Sequence, residues 1–223
     1  MKLPQIFKRY WSILVIFFVA IIFFYKTIFF GQIPFPGDLL VGHYEPYKSY
    51  SYSGIAPGGV PHKAQGPDVI KELIPWKKFV IESLKHGQIP LWNPYNFSGN
   101  PLIANFQSGV FYPANVLFVL FNFESGWSIY IILAPLLAGF FTYLFLRRLK
   151  MSAESSIFGG LVFAFSSYST VWIEYGNIGH TFVWLPLILY FSDKFLEKIN
   201  ARDFLGIVLS SLAAILAGYI QGV

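Results

Sequence analysis

Gly87–Pro113 reads GQIPLWNPYNFSGNPLIANFQSGVFYP, and what it can be decides how the rest of the chain is read. It is too polar and too broken to cross a membrane, yet apolar runs lie on either side of it. Pro90, Pro94, Pro101 and Pro113 fix φ and remove backbone donors, so neither a long helix nor a central strand runs through it. Between them Trp92, Asn93, Asn96, Ser98, Asn100, Asn105 and Gln107 offer hydrogen-bonding groups. Trp92, Tyr95, Phe97 and Tyr112 offer flat apolar faces of the kind that pack on sugar rings. Such a segment is either a rigid cap over neighbouring helices or a binding loop, and long ordered loops are functional more often than short ones.

The residues around it are those of a membrane protein. Of 223 residues, 55% are hydrophobic and only 12% charged, with a mean hydropathy of +0.55; soluble domains do not have this balance. The net charge of +5 falls in short clusters between apolar runs, a pattern of topology rather than of nucleic-acid binding. With no cysteine, disulfides, thiolate metal sites and cysteine nucleophiles are excluded.

Upstream, Tyr10–Phe30 is an apolar run long enough for a hydrocarbon core of roughly 30 Å, with Lys26 near its far end. No small-residue cleavage site follows, so it reads as an uncleaved first span. Residues 31–112 are one long polar segment. Within it, Pro75 at a first turn, Trp76, Phe79, Val80 and Leu84 at helical spacing, and Gly87 beyond them predict a short amphipathic helix.

Downstream, Phe111–Phe123 is apolar but short and interrupted by Pro113, Asn115 and Asn122, which predicts an interfacial helix. Spans are predicted at Trp127–Leu146, Ser156–Ile173, Phe182–Leu196 and Phe204–Tyr219, with Ser152 as an N-cap. Segments 1–9, 147–155 and 193–203 each carry three Lys or Arg, and Glu174–His180 carries none. An inside amino terminus puts all three clusters on one side of the membrane. The predicted fold is therefore an all-α polytopic membrane protein with about five transmembrane helices. Residues 1–30 form the cytoplasmic start and first span, 31–112 an extracytoplasmic loop, and 113–223 the interfacial helix and four further spans. Small residues at Gly159–Gly160, Ala213, Ala214, Ala217 and Gly218 suit close helix packing.

The pattern GxxPLWNPYxFxGxPLxANxQSxxFYP, preceded by PGDLL at Pro36–Leu40, resembles the amino-terminal part of the bacterial YfhO-like membrane proteins. These are relatives of the GT-C glycosyltransferases, which use lipid-phosphate-linked sugars. The resemblance runs from about Tyr10 to the last residue and is most specific over Pro90–Pro113. It implies a GT-C-like fold in a bacterial plasma membrane, with transfer of a sugar from a polyprenyl-phosphate carrier to an extracytoplasmic glycan acceptor, a cell-wall polymer or glycolipid. The family is several times longer, and this chain ends at GYIQGV just past an apolar run, so the expectation is an amino-terminal piece of a larger protein.

No P-loop, GxGxxG, GxSxG or Asp-x-Asp motif is present, and the cytoplasmic connections are too short for a nucleotide domain. A lipid-borne substrate does have a place, against the outer loop. Asp38 follows Pro36-Gly37 just beyond the first span and reads either as a turn residue or as a base. The resemblance implies the second, since GT-C enzymes carry an Asp there that deprotonates the acceptor hydroxyl, sometimes beside a divalent cation. Asp68 is a second candidate catalytic carboxylate, with a helix N-cap as the plain alternative. Trp92, Asn93, Asn105 and Gln107, with Glu174 and His180 at the outer mouth of the third and fourth spans, are candidate substrate-binding residues. Lys77, one of several loop lysines beside Lys71, Lys78 and Lys85, is a candidate phosphate partner or else part of a solvated helix face. Mg²⁺ or Mn²⁺ could be held by Asp38 and Asp68, while His43, His62 and His86 lack metal-ligand spacing. A transporter or flippase, with the loop as a gate, is the rival reading, disfavoured by nearly charge-free spans. A non-catalytic scaffold is the third.

Overall fold

The structure, a computed structural model, describes residues 5–37, 39–40, 44–51 and 68–222. It is mostly helical, and two helical runs, Phe123–Arg148 and Ala153–Tyr175, are long and apolar enough to cross a membrane.

Helix α1 (Gln5–Phe23) buries one stripe, Ser12, Ile16 and Ala20, which continues into Phe24 at the same four-residue spacing. Leu14, Phe17 and Phe18 stay exposed. The short α2 (Tyr25–Phe30) follows and ends at Gly31 in the left-handed conformation. Residues 31–37 then turn back along the bundle, where the Trp127 indole N–H donates to the Pro34 carbonyl at 3.0 Å.

The predicted amphipathic helix starts earlier than its first-turn proline implied. A π turn, Val69–Leu73, runs directly into α3 (Ile74–Lys85). Pro75 has no N–H for the carbonyl four residues back, and its ring crowds that carbonyl; widening the preceding turn accommodates both. Beyond α3 the Pro-rich stretch forms a two-residue ladder, β1 (Trp92–Asn93) against β2 (Asn100–Pro101), with Trp92 opposite Pro101. Single 3₁₀ turns at Phe106–Ser108 and Pro113–Asn115 lead to α4 (Val116–Leu120), a short helix where an interfacial one was predicted.

Helix α5 (Phe123–Arg148) is the central column, capped by Asn122, whose side chain accepts from Ser125 N at 2.8 Å. Helix α6 (Ala153–Phe165) is capped by Ser152 and runs antiparallel to it. The two pack so closely that a Cβ on Gly160 would lie 2.7 Å from the Gly139 carbonyl oxygen, so only glycine fits there. The third predicted span is not one uninterrupted helix. Ser166 adopts extended backbone, its side chain caps the next turn, and the chain resumes as α7 (Ser167–Trp172) and a 3₁₀ turn to Tyr175. The fourth is also divided, into α8 (Asn177–Phe182) and α9 (Leu185–Glu197), with Pro186 in the first turn of the latter. Helix α10 (Ala201–Leu216) returns antiparallel to α9 and exposes Phe204, Leu205, Val208 and Leu209.

Two ends of this bundle differ in chemistry. At one, Arg148 pairs with Asp193 at 2.6 Å and with Glu197, and Lys194 pairs with Asp203 at 2.9 Å. These ties gather the carboxyl ends of α5 and α9 and the start of α10. At the other, Val80, Ile81, Leu102, Val110, Tyr112 and Phe118 of the 68–121 segment form one core with Phe24, Trp127, Tyr130, Tyr175 and Ala217. The larger core therefore lies between the cap and the helix ends. The middle of the bundle is joined by small residues, Ala134, Ala138 and Ala164, with Val183.

Candidate functional site

The cap closes over the helix ends on a buried polar network. Lys77 lies on the same face of α3 as Val80 and Ile81 and is only 4% exposed. Its ammonium donates to Asn115 Oδ1 at 3.0 Å and stands 5.7 Å from the centre of the Tyr130 ring. Asn115 Nδ2 donates in turn to the carbonyls of Gly109 and Val110, at 2.8 and 2.9 Å. Gly109, at φ +57, leaves the room: a Cβ there would meet Lys77 Nζ at 3.1 Å. Burial pushes the Lys77 pKa down to about 7.

His180 is fully buried beside this group. Its Nε2 lies 2.7 Å from the Tyr130 carbonyl, which can only accept, so Nε2 carries the proton. Its Nδ1 then accepts from the Tyr112 hydroxyl at 2.8 Å, and that oxygen accepts from the Trp184 indole at 3.2 Å. The His180 ring stacks on Tyr130, with centres 3.8 Å apart. Burial lowers its pKa to about 3; the bond to the Tyr130 carbonyl works the other way and the nearby Lys77 charge adds to the depression. Burial likewise raises that of Tyr112, against the pull of the Trp184 hydrogen bond. The Tyr130 hydroxyl and Asn177 Nδ2 are buried with no hydrogen-bond partner among the described residues.

The candidate residues thus fall into three groups and not one. Lys77 and His180 share the buried network. Asp68 and Glu174 both interact electrostatically with the Tyr175 hydroxyl, which brings the first turn of the cap to the outer end of α7. Asp68 is exposed and its side chain makes no capping bond. Trp92, Asn93, Asn105 and Gln107 lie on the ladder and the turn after it. Asn93 is buried, with Oδ1 accepting from Tyr95 N at 3.0 Å. Asn105 caps its turn by accepting from Gln107 N at 3.1 Å. Gln107 is exposed, its backbone lying under Gly218, and Trp92 is half-exposed. Asp38 lies outside the described residues, as do His43 and His62. Among the described residues no group of three or more His, Asp or Glu stands ready to hold a metal ion.

One feature has no signal in the sequence. A cleft of about 490 Å³ lies between α2 and the start of α5, lined by the apolar Ile28, Ile33, Phe121, Ile129 and Ile132 and by the polar Thr27, Gln32, Glu124, Ser125 and Ser128. An adjoining hollow of about 150 Å³ shares Ile33 and Glu124 and reaches Phe35 and Trp127, only three residues before Asp38. An apolar groove made of two distant segments leaves no local motif, so only the fold reveals it. Lys71, one of the loop lysines the sequence offers, has a defined place: its ammonium stands 5.6 Å over the Tyr44 ring, bringing a cation from the π turn to the segment that follows Asp38.

No family model matches the sequence, and no curated protein or solved structure matches it.

Proposed function

We propose that this chain is a YfhO-like, GT-C-like membrane protein that transfers a sugar from a polyprenyl-phosphate carrier to an acceptor hydroxyl on the outer face of a bacterial plasma membrane. In this reading five spans cross the membrane, at 10–30, 123–148, 153–175, 182–196 and 204–219, and the 31–112 segment lies outside. The ion-paired end of the bundle, with Arg148, Lys194 and Arg202, then faces the cytoplasm, as basic clusters do.

The observation that carries the reading is the cleft between α2 and α5. It is apolar along Ile28, Ile129 and Ile132, where an isoprenoid chain would lie, and the adjoining hollow reaches Phe35, three residues before Asp38 in the sequence. Asp38 accepts the proton of the acceptor hydroxyl as that oxygen attacks the anomeric carbon. The bond from that carbon to the phosphate oxygen breaks, and polyprenyl phosphate leaves. Lys71 supplies positive charge near the departing phosphate. Glu124 repels phosphate but accepts from sugar hydroxyls, so it orients the sugar. Ile129→Trp fills the cleft and leaves Asp38 itself unaltered. It should raise the KM for the carrier lipid severalfold at little cost in kcat; an unchanged KM would remove the cleft from carrier binding.

One observation favours a transporter instead. The third and fourth spans are interrupted, at Ser166 and before Pro186, and discontinuous helices are what transporters use at substrate sites. Uptake of a solute by vesicles that transfer no sugar would establish that reading.

A further inference from the structure

We propose that the hairpin Trp92–Pro101 is a membrane-docking element, seated in the headgroup boundary of the outer leaflet with Phe97 and Tyr95 inserted. The proposal rests on the membrane embedding described above, not on sugar transfer.

The first ground is charge. Gly87–Pro113 contains no Asp, Glu, Lys, Arg or His in twenty-seven residues, whereas about a quarter of residues in soluble domains are charged. The second is exposure on an ordered frame. Phe97 is 97% and Tyr95 79% exposed, with Ile89 and Leu91 also exposed at the base. The frame is held by the β1–β2 pairing, by Leu102 N donating to Leu91 O at 3.0 Å, and by Gly99 N donating to Asn96 O at 2.8 Å. Phe97 and Ser98 sit at φ +50 and +65, a left-handed conformation that is unfavourable for such residues and persists only where surrounding structure imposes it. An aromatic ring presented this way, with none of the described chain covering it, is placed for contact with something outside.

What lies outside follows from the neighbours. The Tyr95 ring packs edge-on against Phe79 of α3, 5.6 Å between centres, and α3 exposes Lys78 and Lys85 with Glu82 between them, a net positive set. Cations beside inserted aromatics suit an anionic lipid surface. Exposed Phe111, Val116, Leu120 and Phe121 carry the apolar surface on from the stretch to the start of α5, a helix of spanning length. Tyr and Trp collect at such interfaces because one edge is apolar and the other wet. A sugar-stacking platform would need a facing wall of polar groups, and a ring with 97% exposure has none.

The cysteine-free chain makes the test direct. Spin labels are placed at Phe97→Cys, at Lys48→Cys as an aqueous reference and at Leu209→Cys as a bilayer reference. Each protein is reconstituted in nanodiscs of phosphatidylcholine and phosphatidylglycerol, and collision with oxygen and with a polar nickel chelate is measured. The label at position 97 should show an oxygen-to-nickel ratio severalfold above that at position 48 and closer to that at 209. A ratio equal to that at position 48 overturns the proposal, and so does exclusion of both reagents, which would mean that protein covers the tip. Nickel access at Leu209 would overturn the membrane reading together with it.

Discussion

Lys77 is the residue whose place the structure changes most. In the sequence it reads either as a phosphate partner or as part of a solvated helix face, yet it is buried and donates to Asn115 Oδ1. The signal was present, since Leu73, Lys77, Val80, Ile81 and Leu84 form one stripe of a helix. Asn115→Leu removes that acceptor and should destabilise the fold by about 1–3 kcal/mol. Lys77→Met in the same chain should recover much of the loss, because no buried amine is then left unpaired. Melting curves of the two single variants and the double in detergent check this; additive losses would mean the pair does not act as a unit. His180 gives a pH prediction. Its folded-state pKa, about 3, lies below its ordinary value of 6.5, so the unfolded chain binds the proton first as pH falls. The stability from neutral His180 is present above about pH 6.5 and is lost progressively toward pH 3. Lys77 adds a slope of the same sign between about pH 7 and 10.5, because the unfolded amine holds its proton over that window. The melting temperature should therefore fall on acidification from pH 7 to pH 4, and His180→Gln should flatten that slope. Identical slopes would show that His180 does not titrate with unfolding.

At the scale of elements, glycine contacts matter more than side-chain volume in the middle of the bundle. Gly160→Ala sets a methyl 2.7 Å from the Gly139 carbonyl oxygen, so α5 and α6 must part. The expected loss is about 1–3 kcal/mol, read as a lower melting temperature, while Gly87→Ala, far from any neighbour, tests only backbone strain. An equal or smaller loss at Gly160 would mean the helices yield freely. Length and apolarity made the helical runs legible: α5 covers the predicted Trp127–Leu146 and α10 most of Phe204–Tyr219. The breaks were not legible. Ser166 interrupts a run that hydropathy reads as continuous, and its capping bond to Ser169 N depends on backbone geometry alone. The π turn before Pro75 is a compromise between a proline and a helix already begun, and the apolar spacing after it looks the same with or without that turn. In the candidate site, Asn93 and Asn105 were read as ligand groups because both are polar and lie in a broken loop. Their oxygens are engaged by backbone N–H groups two residues on, a use of Asn that sequence does not distinguish from an open one.

For the whole molecule, the two ends differ: ion pairs gather one, and an aromatic cap with a buried lysine and histidine closes the other. The proposed topology predicts that Lys48→Cys is labelled from outside by an impermeant thiol reagent and Met151→Cys only after the membrane is opened; the reverse pattern would invert the protein and put the cleft on the cytoplasmic side. The proposed activity is transfer of a lipid-borne sugar on the outer face with Asp38 as base. It is tested most directly by following labelled sugar from polyprenyl phosphate to acceptor in membranes that contain the protein or its Asp38→Asn variant. General-base catalysis is worth about 10²–10⁴-fold, so the variant should lose that much turnover while still binding the carrier lipid. Transfer by Asp38→Asn at the undiminished rate would contradict the role given to Asp38, and no transfer from any such carrier by the unaltered protein would contradict the account as a whole.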